Sequence, residues 1–141
     1  MAVQSSAAAT WKGDLTHGAG TVRPASGTFG ELALTWRERA ETRASGTSPE
    51  ELIAAAHAGC FAMALAFGLE NAGTPPERLD TTALVGFQAG EGITGIHLTV
   101  RGKVPGIDPG AFQEAAEGAK AGCPVSKALA GVPITLEAVL E

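Results

Sequence analysis

Cys60 and Cys123 are the only cysteines in a chain of 141 residues, and they are the side chains here best able to do chemistry. A thiolate is a strong nucleophile that can be oxidised to sulfenic acid and then condensed to a disulfide. A buried thiol with no cation beside it is only a small apolar side chain. Cys60 sits in "AHAGCFAMAL", where His57 is the one basic neighbour along the segment. It lies about three turns into the helix predicted there, whereas the dipole at a helix N-terminus acts within the first turn. If Cys60 is reactive, its cation comes from elsewhere. Arg37, Arg39 and Arg43 precede the helix, and Glu50 or Glu51 could orient one of them toward a thiolate. Cys123 precedes Pro124 and can cap a short helical turn, where backbone N–H groups favour a thiolate. The two cysteines could meet in the core and cycle between dithiol and disulfide. His57, Cys60 and Cys123, with His17 or His97, also make a conceivable zinc set, although no Cys-x-x-Cys or His-x-x-x-His pair supports it.

The elements that must position these residues are marked by caps and periodicity. Residues 8–36 are expected to be β-rich, broken by turns at Gly13-Asp14, Gly18 to Gly20 and Ser26-Gly27. Leu32, Leu34 and Trp36 alternate as in a half-buried strand from Phe29 to Trp36, and Arg37 to Gly46 reads as a strand end and loop. A helix is then expected from Ser48 (N-cap), with Pro49 first and Glu51 in a capping box, to Gly73 ahead of Pro75 and Pro76. It is apolar nearly all round, so it should be buried on several sides, against a sheet and against a helix or subunit. Leu79 to Gln88 and Ile96 to Val104 alternate as strands, each with one dry and one wet face. A second helix is expected from Asp108-Pro109 to Gly122, a short turn from Cys123-Pro124 to about Leu129, and a last strand from Ile134 to Leu140. That order describes an α+β fold with a largely antiparallel sheet.

Composition narrows the function. With a net charge of −5 and scattered basic residues, a nucleic-acid partner has no electrostatic support. His57 and Glu70 interrupt the most apolar stretch, so no membrane span is expected. The N-terminus lacks the basic start and apolar run of a signal peptide, and a single cytoplasmic domain over residues 1–141 is the default reading. In that compartment the cysteines are expected as free thiols or a transient redox pair.

"GTSPEELIAAAHAGCFAMAL" and the later "AKAGCPVSKAL" resemble the OsmC branch of the OsmC/Ohr family of cysteine-based peroxidases. "ATWKGDLTHGAGTV", "LDTTA", "VPGID" and "ITLEAVL" fall in the family's order, so the resemblance extends over nearly the whole chain. It implies an intertwined homodimer of antiparallel sheets around long central helices, with sites at the subunit interface. It implies that Cys60 attacks the peroxide, that Cys123 resolves the sulfenic acid, and that Glu50 orients the active-site arginine. Arg39 best matches that arginine, with Arg37 and Arg43 as rivals because the preceding loop is longer than the family form. The implied partners are a hydroperoxide, organic or hydrogen peroxide, and an external dithiol reductant, a lipoyl group or a small dithiol; no cofactor or metal is implied. An apolar pocket drawn from Phe61, Met63, Phe67 and leucines would favour organic peroxides. A redox-sensing or ligand-binding module on the same fold is the alternative. Ten residues separate Glu50 from Cys60, roughly 15 Å along one helix. Either the helix begins after Glu50, or the site is shared between subunits.

Overall fold

The computed structural model describes residues 2–42 and 45–141. They divide into two compact units, Met1–Leu52 and Ile53–Glu141.

In the first unit, β1 (Ala7–Lys12), β2 (Ala19–Pro24) and β3 (Leu32–Leu34) form an antiparallel sheet in the order β1-β2-β3. The turn between β1 and β2 falls at the expected glycines and is closed by Asp14, whose carboxylate accepts from the His17 backbone N–H at 2.7 Å. The expected strand Phe29 to Trp36 is shorter, and Trp36 opens helix α1 (Trp36–Ala40) instead. Thr35 takes an extended backbone and its hydroxyl accepts from the Glu38 N–H at 3.1 Å, a cap that ends the strand and starts the helix. The segment after β3 is therefore not the plain loop that its charge implied.

Helix α2 (Pro49–Asn71) begins in this unit and continues through the next. It starts where its caps place it: the Ser48 hydroxyl accepts from the Glu51 N–H at 3.0 Å, and the Ser48 carbonyl from the Leu52 N–H at 3.1 Å. The Glu51 carboxylate takes the Thr47 hydroxyl at 2.6 Å. At its other end Gly73 adopts φ 85°, and the Gly73 and Thr74 N–H groups close back on Glu70 and Leu69.

The second unit holds β4 (Arg78–Gln88), β5 (Gly92–Lys103) and β6 (Ile134–Leu140), with α3 (Pro109–Gly122) and α4 (Pro124–Ala128) between β5 and β6. β4 and β5 pair antiparallel, whereas β6 returns parallel to β5 after the helical crossover. Asp108 caps α3, accepting from the Ala111 N–H at 2.9 Å. Among the described residues, every buried hydrophobic side chain lies in this unit. Phe61, Leu65 and Leu69 of α2 share that core with Ile96, Leu98 and Val100 of β5 and with Phe112 and Ala116 of α3. Gly102 makes the close approach of α3 possible, since a Cβ there would lie 2.5 Å from the Phe112 ring. By length and composition α2 could cross a bilayer, a reading that the interrupting His57 and Glu70 do not remove. Its Phe61, Leu65 and Leu69 are instead wholly buried in the protein core.

Candidate active site

Each unit carries one of the two pairs singled out by the sequence. In the first, the Thr47 N–H donates to the Ala33 carbonyl at 2.9 Å, which pins the chain before α2 alongside β3. Arg39 of α1 and Glu50 of the first turn of α2 then meet in a two-pronged ion pair: Nε to Oε1 at 3.0 Å and Nη2 to Oε2 at 3.1 Å. Glu50 is 1% exposed and the Arg39 side chain 34%. A buried carboxylate is tolerated when a guanidinium fork takes both oxygens, and that fork holds the arginine in one orientation. Arg39 also borders a small cleft of about 270 Å³ with Trp11, Leu15, Leu34, Trp36 and Pro49. Of its rivals, Arg37 lies 3.8 Å from Glu41 as an exposed pair, and Arg43 lies outside the described residues.

In the second unit α4 starts as expected, with Cys123 as its N-cap. The Cys123 sulfur accepts from the Ser126 N–H at 3.3 Å and lies 3.3 Å from the Ser126 hydroxyl. Cys60 and Cys123 are both free thiols, and each is among the groups that shift the other. Their environments push them apart. Burial raises Cys60 above the ordinary thiol range, and the neighbouring Cys123 raises it further against the Val125 N–H, which lowers it. Burial also acts upward on Cys123, but the Ser126 hydroxyl and N–H, the Cys60 thiol and the Val125 N–H outweigh it, and Cys123 falls below the ordinary range. Among the described residues, no cation is one of the groups that shift either thiol.

Access runs the other way. Cys123 is wholly buried, whereas Cys60 is partly exposed and lines an open groove of about 1290 Å³ with Met63, Ala64, Phe67 and Ile107. Met63 and Phe67 are 76% and 65% exposed, so the groove wall is apolar and open. Phe61, expected in such a pocket, points into the core instead and is fully buried.

His57 has a partner the sequence did not indicate: its Nε2 lies 2.7 Å from the Ser126 hydroxyl, a buried contact across 69 residues. Burial lowers its pKa, which favours the neutral ring. Ser126 is the residue that sequence reasoning missed, and the Cys123-x-x-Ser126 spacing, N-cap to third helical residue, was the signal for it. The conceivable zinc set does not assemble: among the described residues no three His, Cys, Asp or Glu side chains are placed to hold a metal ion. His97 bonds Thr135 at 2.6 Å and His17 bonds Asp14 at 3.1 Å.

An α+β chain with two free thiols in contact, one buried and one facing an apolar groove, is a dithiol protein by construction. The chain belongs to the OsmC family: the family model described as "OsmC-like protein" matches residues 42–137. It is 44% identical over 144 residues to peroxiredoxin OsmC of Escherichia coli K12, covering 100% of this chain and 99% of that protein. It is 34% identical over 104 residues to an organic hydroperoxide resistance protein of Xanthomonas axonopodis pv. citri, covering 72% of this chain and 73% of that one. The fold is that of an OsmC-like protein from Mycoplasma pneumoniae, with a TM-score of 0.73 at 17% identity over 99% of each chain.

Proposed function

We propose that the chain is a peroxiredoxin-like hydroperoxide reductase in which Cys60 attacks the peroxide and Cys123 resolves the product. One observation carries this division of labour: Cys60 faces the open apolar groove while Cys123, its neighbour, is sealed from solvent. A peroxide reaches the first sulfur and not the second. The Cys60 thiolate attacks one peroxide oxygen, the O–O bond breaks, and the alcohol leaves with a proton. Cys60 is now a sulfenic acid. The Cys123 sulfur attacks the Cys60 sulfur, the S–O bond breaks and water leaves, giving the disulfide. An external dithiol reduces it for the next cycle. The apolar groove favours organic hydroperoxides, with hydrogen peroxide as a poorer substrate, and the reading places the chain in cytoplasmic defence against oxidative and osmotic stress.

The cation completes the account. The helix does not begin after Glu50, because α2 starts at Pro49 and contains both Glu50 and Cys60. That leaves the shared site, and we infer a homodimer in which the Arg39–Glu50 pair of one subunit serves Cys60 of the other. The exposed Met63 and Phe67 support it, since open apolar faces of this kind mark association surfaces. Two thiols in contact lose one proton before two, so the charge belongs to the pair. In the single chain it rests on Cys123; a guanidinium at Cys60 draws it onto the sulfur that the peroxide can reach. Residues 1–141 then act as one functional domain within the dimer.

The test is consumption of cumene hydroperoxide with a dithiol reductant, which Cys60→Ser should abolish; undiminished turnover in that variant would overturn the assignment. A second reading, a redox-sensing or binding module without turnover, draws on the raised pKa of Cys60. It predicts that Cys60 alkylates no faster than a model thiol at neutral pH and survives organic peroxide unoxidised.

A further inference from the structure

The cysteine pair leaves one buried group without a role. His57 is 0% exposed, and its Nδ1 is a buried polar atom with no hydrogen-bond partner among the described residues. Such orphans are uncommon in folded proteins and call for an explanation. Its other nitrogen is well placed, 2.7 Å from the Ser126 hydroxyl, which is in turn 3.3 Å from the Cys123 sulfur. The three groups form a line ending on Cys123.

Counting protons along that line fixes the tautomer. Ser126 has one hydroxyl proton. When Cys123 is a thiolate, that proton points at the sulfur, so the Ser126 oxygen must receive a hydrogen bond rather than give a second one. The donor in reach is His57 Nε2–H. A neutral imidazole protonated at Nε2 has a bare lone pair at Nδ1, which matches the orphaned atom. The opposite tautomer would bury an unpaired N–H and turn the serine proton toward the histidine, away from the sulfur. Burial keeps the ring neutral, which suits a fixed donor rather than a proton carrier.

We propose that His57 is a positioning residue for the resolving thiol: by donating to Ser126 it locks the serine hydroxyl onto Cys123 and favours the thiolate there once Cys60 has been oxidised. This rests on the peroxidase reading and deepens it. Once Cys60 has become a neutral sulfenic acid, a partner cation no longer has an anion there to hold. Cys123 must then carry the charge itself to attack. The Cys123 thiolate displaces hydroxide from the Cys60 sulfur; the S–S bond forms, the S–O bond breaks, and the hydroxide takes a proton from solvent to leave as water. The Cys60 sulfur is reduced and the Cys123 sulfur oxidised, so the oxygen acquired from the peroxide is lost with no further reagent. Of the titratable groups nearby, Cys60 and, through Ser126, His57 face Cys123; Lys120 of α3 is paired with Glu117 at 3.1 Å, and Lys127 of α4 is exposed.

The experiment titrates Cys123 by thiolate absorbance in the Cys60→Ser background, where it is the only thiol. His57→Leu and Ser126→Ala should each raise its pKa by about one unit, the size expected for loss of one hydrogen bond to the charged form. The double variant should shift no further than either single one, because both break the same line. His57→Gln, whose amide nitrogen falls where Nε2 stood, should restore most of the titration; His57→Asn, which ends short of Ser126, should not, and it serves as the second loss variant should His57→Leu fail to fold. With Cys60 present, the loss variants should accumulate sulfenic acid, seen as a gain of one oxygen in intact mass, at an unchanged rate of peroxide consumption in the first turnover. A Cys123 titration unmoved by Ser126→Ala and by a folded His57 loss variant would overturn the proposal. The titration needs no peroxide. A shift in a protein without peroxidase activity therefore counts against the peroxidase reading alone, and an active protein with an unmoved Cys123 against this inference alone.

Discussion

The two units of the chain treat charge in opposite ways. Met1–Leu52 contributes no buried hydrophobic side chain among the described residues, yet it holds a buried carboxylate gripped at both oxygens by an arginine. Among the described residues, Ile53–Glu141 holds the whole apolar core and both thiols, with no cation among the groups that shift them. A guanidinium locked in an ion pair has its orientation fixed before any substrate arrives. A thiol raised by burial has access but little nucleophilic form at neutral pH. The oriented cation and the two thiols thus lie in different units of the chain. In the proposed dimer, reactivity is a property of assembly, since the cation and the thiol are supplied by different subunits.

That contrast can be broken from the charged side first. Arg39→Ala should lower kcat/KM for an organic hydroperoxide by about 10²- to 10³-fold, the usual loss when an oriented charge is removed from a reacting centre. Arg37→Ala, which removes an exposed pair with Glu41, should stay within about twofold, as exposed pairs contribute little. Equal losses in the two variants would mean that the orientation imposed by Glu50 is irrelevant. Glu50→Gln keeps a hydrogen-bonding partner but loses the charged fork; a drop of about tenfold is expected, milder than for Arg39→Ala. Steady-state peroxide consumption at saturating reductant reads both.

The smallest effect is on stability. Burial lowers the His57 pKa below the 6.5 of a free imidazole. The unfolded chain therefore binds a proton that the folded chain resists. Stability is full above that value and falls as pH drops through it toward the folded pKa. Denaturant midpoints measured at about pH 7.5 and 5.5 should fall less in His57→Gln than in the native chain. An identical acid loss in both would mean that His57 is not held neutral.

What the sequence disclosed tracks the range of the forces involved. The starts of α2, α3 and α4 were legible because Ser48, Asp108 and Cys123 each cap a helix whose first residue is proline, all local chemistry. Helix α1 was hidden by competition: the alternation Leu32, Leu34, Trp36 continues past Thr35, while Thr35 and Glu38 carry a capping spacing that won. Phe61 was misplaced because a helix apolar on every side has no polar stripe to show which face meets the core. The Arg39–Glu50 pairing spans 11 residues and was reached through family resemblance, not periodicity. The contact of His57 with Ser126 spans 69 residues, and nothing local encodes it. Elements were readable where neighbours decide them, and the site was readable only as far as its parts carried caps or a family pattern.

The central claim is that the cation and the thiol come from different subunits, and complementation between two dead variants tests it most directly. Co-express a Cys60→Ser chain and an Arg39→Ala chain under different tags, isolate the mixed species and measure hydroperoxide turnover. One of its two sites would pair a native Cys60 with a native Arg39, so a mixed dimer should recover about half the activity of a native dimer. Activity no higher than the average of the two parent variants would contradict the account, and would place the arginine and the thiol that it serves in the same chain.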